Sequence, residues 1–187
     1  MYAHQTPSQT PDQTVMLIGI SGKKRTGKDT VGEIMLQWLQ GNLGTAARVA
    51  FADQLKEEVS RATGVSLEQI ESDKVRWRPI LQWWGVEFRR HYFGQDYWLR
   101  KMVEKLLTMD EEFAVVTDVR FRDEADYIRA SGGFVVRVER ETGLQDGHVS
   151  ELNLDGYDDF DYVLNNHKDI DSLELKVDRV LTDALLR

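Results

Sequence analysis

One stretch, Gly22-Lys23-Lys24-Arg25-Thr26-Gly27-Lys28, constrains this chain more than any other. It fits G-x-x-x-x-G-K and directly follows a continuous apolar run, Val15–Ser21. An amphipathic pattern comes next: Val31, Ile34, Met35, Trp38 and Leu39 share one face of a helix beginning near Gly27. Strand, glycine loop and helix in that order make an anion cradle. The glycines let backbone N–H groups wrap a phosphate, and the helix N-terminus adds about half a positive charge. Lys28 is then placed to bridge the outer phosphates of a nucleoside triphosphate, which points to ATP with Mg²⁺.

Further apolar runs recur at Ala47–Ala52, Phe113–Thr117, Phe134–Val138 and Tyr162–Leu164. Runs apolar at every position, not alternating, suit strands buried on both faces. Helical patterns lie between them, including one that starts near Arg122 and stops at Gly132-Gly133, and a C-terminal stripe of Leu173, Val177, Val180, Leu181, Ala184 and Leu185. Alternating strand and helix signals define an α/β three-layer sandwich around a mostly parallel five-stranded sheet. At roughly 150 residues per domain, 187 residues suit one domain, taken as residues 15–187, with a polar tail over 1–14 that reads as neither a signal peptide nor a basic transit peptide.

Composition narrows the function. Zero cysteines exclude a disulfide scaffold, a zinc–thiolate site and a thiol nucleophile, and the four histidines lack metal-ligand spacing. No apolar run approaches the ~20 residues of a spanning helix. A net charge of −8 argues against a general grip on nucleic acid or membranes, so a cytoplasmic protein acting on small molecules is expected. Yet Lys74–Lys101 carries a local +5, and Trp77–Trp98 holds four of the five tryptophans. An Arg-rich, aromatic segment inside an acidic chain suits a ligand with a phosphate and a flat ring; a surface helix pair with inward Trp and solvated Arg is the plainer alternative.

Several residues carry more than one reading. The usual Ser/Thr after the P-loop lysine is replaced by Asp29, with Thr30 next. Asp29 either holds magnesium or complements the helix dipole from the first turn; Thr30 can serve the phosphates. Lys23, Lys24 and Arg25 are more cations than one triphosphate needs and could reach a second, acceptor phosphate. Val115-Val116-Thr117-Asp118 reads as a strand ending in an acid, with Asp118 orienting magnesium-bound water or the acceptor, and Arg120 and Arg122 able to clamp a phosphate. Asp53 either meets the acceptor sugar or a magnesium-bound water, or caps a helix. Arg140, ahead of a lid-like loop over 141–155, is either a catalytic lid arginine or a solvated strand end. Asn165-Asn166 either flanks adenine, with Asn166 the ATP contact, or forms a turn.

Taken together, Gly22–Thr30 (GKKRTGKDT), Phe51–Lys56 (FADQLK), Leu81–Trp98, Asp118–Ala125 (DVRFRDEA), His148–Leu152 (HVSEL) and Phe160–Asn165 (FDYVLN) resemble the bacteriophage-type deoxynucleoside monophosphate kinases. The resemblance covers nearly everything after the tail. It implies a P-loop kinase fold with a helical acceptor-binding insertion (76–99) and a lid, and γ-phosphoryl transfer from ATP to a dNMP with Mg²⁺, giving dNDP and ADP. It also implies that Arg25, Gly27, Lys28, Asp29 and Thr30 hold ATP and that Lys24 reaches the acceptor phosphate. Arg76, Arg78, Gln82 (as base reader), Trp84 and Arg89 would cover the dNMP, Arg120 and Glu124 would approach it, and His148 and Glu151 would anchor the lid. Lys28, Arg120 and Arg140 are the expected charge-neutralising residues, and Asp29 and Asp118 the expected magnesium ligands. Phosphorylated acceptors such as a dephospho-coenzyme or phosphomevalonate, or an acceptor-independent ATPase, remain open on sequence, as does pairing with a second copy.

Overall fold

The apolar runs form five strands in a computed structural model that describes residues 15–143 and 147–186: β1 Met16–Ser21, β2 Ala46–Val49, β3 Phe113–Val119, β4 Phe134–Glu139 and β5 Tyr162–Asn165. The proposed tail and residues 144–146 of the lid-like loop lie outside the described residues. Every strand pair is parallel, in the order β2-β3-β1-β4-β5, so the sheet is wholly rather than mostly parallel.

Why the runs are apolar throughout is visible in which side each residue packs. Leu17, Ala114, Val116 and Val135 join one core, with Met102 and Leu106 of α6 (Tyr97–Leu106) and Ile128 of α7 (Arg122–Ala130). Their alternates Ile18, Ile20, Val115, Val136 and Val138 join the other. That second core is completed by α1 (Lys28–Asn42) and α9 (Ile170–Leu185), whose two apolar stripes meet there. With both faces covered, the central strand positions are apolar, while the edge strands β2 and β5 keep exposed residues such as Arg48 and Asn165.

One strand is shorter than its apolar run. Ala47–Ala52 divides: β2 ends at Val49, and Phe51 and Ala52 open α2 (Phe51–Thr63). The cause is tertiary. Asp118, at the end of β3, accepts from the Phe51 and Ala52 amides at 2.8 and 2.9 Å, satisfying the first free N–H groups of that helix. Asp53 is therefore not a cap; it lies in the first turn of α2 and pairs with Arg48 at 2.8 Å.

The Trp- and Arg-rich segment builds a helical lobe with its own small core of Val59, Ile70 and Trp77. It contains α3 (Leu67–Ser72), α4 (Lys74–Gln82), a π-helical run over Trp83–Arg90, α5 (His91–Phe93) and α6. A short helix, α8 (Val149–Leu152), follows the loop after β4. Among the described residues, no helix is long and apolar enough to cross a membrane.

Candidate active site

The carboxyl ends of β1, β2 and β3 converge where open parallel sheets bind ligands, and the G-x-x-x-x-G-K loop leaves β1 at that point. Its shape is held from inside. The Lys23 carbonyl accepts from Thr26 Oγ1 at 2.9 Å and from Lys28 Nζ at 2.8 Å. Asn166 Nδ2 donates to the Thr26 carbonyl at 2.9 Å. Gly27 is required there twice over: its φ is +98°, and a Cβ would fall 2.4 Å from that same Asn166 nitrogen. Arg25, at φ 63°, is the one non-glycine residue at positive φ among the described residues, a strained position of the kind found at functional loops.

Burial, and then the Arg120 guanidinium, depress the Lys28 ammonium to about 8, while Glu151, Asp29 and Asp118 pull it back up. Only the charged form grips a polyphosphate, so affinity is lost as pH rises through that value. ATP binding should weaken by roughly 30-fold between about pH 7 and pH 9.5, the change in charged fraction for such a group, and should take up a proton near pH 8.5. Calorimetry in buffers of different ionisation heat checks this, and Lys28→Arg should abolish the proton uptake. Folding shows the linked effect. The unfolded chain, with Lys28 near 10.5, binds that proton more tightly, so this group opposes the fold below about pH 8 and its penalty is relieved as pH climbs toward 10.5.

Arg120 faces Lys28 from the loop between β3 and α7 and is held at both ends. Its guanidinium pairs with Glu151 of α8, and its backbone N–H donates to Glu124 Oε2 at 2.9 Å. Glu124 also accepts from the Phe121 amide at 3.1 Å and from Arg90 Nη2 at 2.6 Å. Arg90 is 2% exposed, pairs additionally with Asp123 at 3.0 Å, and lies 3.7 Å from the Phe121 ring centroid. Burial pushes the Glu124 carboxyl up, to about 7, against Arg90 and the Arg120 amide, which pull it down. Burial likewise raises Asp118 above the usual carboxylate range, against the Ala52 and Phe51 amides and Arg120.

These groups border a cleft of about 1080 Å³ between the P-loop, the strand ends and the lobe. Of the residues expected in the site, Lys24, Arg25, Lys28, Asp29 and Asp53 border it from the P-loop and α2. Asp118, Arg120 and Glu124 border it from β3 and α7, and Arg78 and Gln82 from the lobe. Others point elsewhere. Lys23 donates to the Glu151 carbonyl and pairs with Asp155, both at 2.5 Å, so it serves α8 rather than a phosphate. Thr30 is exposed on α1 and outside the lining, and Arg76 is exposed on the lobe. Arg140 is exposed where β4 ends, also outside the lining. Asn166 braces the loop backbone instead of presenting its amide to a base. Trp84 and Arg89 turn away from the cleft to Glu58, which accepts from Trp84 Nε1 at 2.8 Å, from Arg89 and from Tyr97 Oη at 2.8 Å.

Arg90 rather than Arg89 lies on the cleft side of the lobe, and the π-helical run is the reason. The His91 amide donates to the Val86 carbonyl, an i→i+5 bond. A turn closed that way takes in more than the 3.6 residues of an α-helix. Position 90, not 89, then falls below Gln82 and Val86 on the cleft face. Only a signal for the wider turn would have separated these two adjacent arginines.

A glycine-loop strand–helix unit, a wholly parallel sheet and a cation-lined cleft between loop and lobe define a P-loop kinase. More particularly, the chain belongs to the phosphomevalonate kinase family, whose model matches residues 20–133. Its relatives bear other names. A protein of Acanthamoeba polyphaga mimivirus with deoxynucleotide monophosphate kinase in its name is 29% identical over 84% of this chain and 91% of its own length. The "Deoxynucleoside-5'-monophosphate kinase" of Escherichia phage T5 is 21% identical, over 87% of this chain and 94% of that protein. Among solved structures, shikimate kinase from Aquifex aeolicus vf5 superposes with a TM-score of 0.50 at 14% identity, covering 91% of this chain and 99% of its own, a likeness of fold alone.

Proposed function

We propose that this protein transfers the γ-phosphoryl group of ATP to a deoxynucleoside monophosphate, giving dNDP and ADP. The observation that carries the reading is a single cleft with two kinds of wall. One wall carries Lys24, Arg25 and Lys28 of the P-loop; the other, from the lobe, carries Arg78 with Leu81, Gln82, Val86 and Trp98, and Arg120 and Phe121 border the same cleft. A phosphate joined to a flat base suits that second wall, which pairs a guanidinium with apolar side chains and the Gln82 amide. Phosphomevalonate, the acceptor in the family's name, is short and has no ring to set against those apolar side chains. The end-to-end likeness to proteins named for deoxynucleotides supports the same choice.

Phosphoryl transfer asks for alignment and charge rather than covalent help. In this reading the loop amides and Lys28 hold the β- and γ-phosphates, Arg25 and Lys24 flank them, and Arg78 seats the acceptor phosphate. Arg120 meets the charge that spreads over the transferring group.

Mg²⁺ keeps much of its water and takes one or two carboxylates together with substrate phosphates. The residues fit that mode and not a dedicated cage, since no group of three metal-ligating side chains forms among the described residues. Asp29, exposed beside Lys28, is the direct candidate; Asp118, with both oxygens on amides, is placed to act through water. When bound, the ion would neutralise charge on the bridging oxygens. Small soluble nucleotides as substrates imply a cytoplasmic setting, that of the host if the chain is phage-encoded.

The test is ADP release at saturating ATP and magnesium. dAMP, dCMP, dGMP or dTMP should support turnover, and phosphomevalonate and dephospho-coenzyme A should not. Turnover with phosphomevalonate alone would overturn the assignment, and ATP hydrolysis independent of any acceptor would place the chain among ATPases.

A further inference from the structure

Two arginines of the cleft come from parts of the chain that are far apart, and a single carboxylate joins them. Arg78 belongs to α4 of the lobe and Arg120 to the loop after β3; Glu151 Oε1 accepts from Arg78 Nη2 at 3.4 Å and from Arg120 Nη1. Both arginines border the cleft, whereas Glu151 does not and its side chain is only 4% exposed, so it stands behind them. Its own position is firmly set. Ser150 N donates to His148 Nδ1 at 3.2 Å, capping α8, and His148 Nε2 lies 3.3 Å from Glu87 of the lobe. Just beyond α8, Asn153 Oδ1 accepts from the Arg122 amide at 2.9 Å, and Leu154 is buried in the core.

A buried carboxylate with two arginines is costly unless both partners stay in place. The same need ties the pair together: one Glu151 oxygen accepts from both guanidinium groups, and both arginines border the cleft. We propose that Glu151 is a positioning residue for phosphoryl transfer, holding Arg78 and Arg120 at a set spacing as a two-armed clamp on the acceptor and transferring phosphates. This rests on the transfer reading above. A clamp carries its spacing into the reaction, and misplacement of such a group by about 1 Å can cost ~10²-fold in rate.

Steady-state kinetics of Glu151→Gln and Glu151→Asp, each checked for native circular dichroism, test it. For E151Q, kcat/KM for the dNMP should fall ~10²-fold while the KM for ATP, read near pH 6, well below the Lys28 midpoint of about 8, stays within about threefold, since no P-loop side chain bonds to the Glu151 carboxylate. E151D keeps the charge and should recover about tenfold or more of the loss, as charge-assisted bonds are the stronger ones. The proposal fails if E151Q matches the parent, if E151D is no better than E151Q, or if E151Q binds dNMP more tightly; the last would mean that Glu151 occupies the acceptor's place.

Arginine side-chain NMR on the parent protein gives a readout that does not need turnover. The Arg78 and Arg120 guanidinium protons, assigned through R78K and R120K, should exchange slowly, and fast exchange at both overturns the clamp. Should the parent turn over no dNMP, the transfer reading falls, while these signals still report whether the clamp exists.

Discussion

Replacing Arg120 by alanine should lower kcat for dNMP phosphorylation by ~10³-fold or more, the loss that follows removal of an arginine facing a transferring phosphoryl group. The expectation rests on how the residue is held. Its guanidinium is fixed by Glu151 and its backbone by Glu124, so it presents charge at one place without reorganising during reaction. R120K should recover only a small part, because a single ammonium cannot pair with Glu151 and span phosphate oxygens with a planar fork. A second signature is independent of turnover. Arg120 lowers the Lys28 ammonium, so its removal should move the pH midpoint of ATP binding upward from about 8. Single-turnover kinetics and a pH series of calorimetric titrations measure the two effects. A kcat within tenfold of the parent, with ATP binding intact, would remove Arg120 from the chemistry.

Arg90→Met should destabilise the fold by about 3–5 kcal/mol, read from urea denaturation, because it strands Glu124 as a buried charge without its cation. Methionine keeps the stem and loses the bonds to Glu124, Asp123 and the Gln95 carbonyl. The deficit should depend on pH in a stated direction. Glu124 already lies above its unfolded value of 4.5, and losing Arg90 raises it further. A carboxyl raised in the native state binds its proton more tightly there than when unfolded, so stability is gained as pH falls. The deficit should therefore be smallest and nearly constant below about pH 7 and grow as pH rises above it. Adding Glu124→Gln should recover part of the stability at pH 8, while kinetics stay impaired because the Arg120 loop has lost its charged anchor. An R90M protein as stable as the parent would show that Glu124 is solvated or neutral.

Local pattern carried a good deal of this. A short apolar run that does not alternate suits a strand covered twice, and a glycine loop between such a strand and an amphipathic stripe leaves its amides facing outward; both statements need only near neighbours in the chain. The motif residues Lys28, Asp118 and Arg120 accordingly lie at one cleft. Where β2 ends was not legible, because the stop is made by Asp118, 66 residues from the amide it caps at Ala52. The partners of Asn166 and Lys23 are hidden for the same reason: nothing nearby in sequence says that one braces the Thr26 carbonyl and the other reaches α8.

The lobe shows the boundary most clearly. Its composition, cations and aromatics clustered in an acidic chain, pointed to a ligand-facing segment, and the lobe does border the cleft through Arg78, Gln82 and Arg90. Composition did not say which arginine faces the cleft. An i→i+5 turn displaces each following side chain around the axis, and that turn is adopted through packing against α2 and α6, where Glu58 gathers Trp84, Arg89 and Tyr97. Residue types and short-range order thus decided the sheet, the anion loop and the class of chemistry. Direction of side chains, and the partners that hold Arg78, Arg90 and Arg120, came only with tertiary structure, because a guanidinium on a flexible stem takes its aim from the carboxylate it meets.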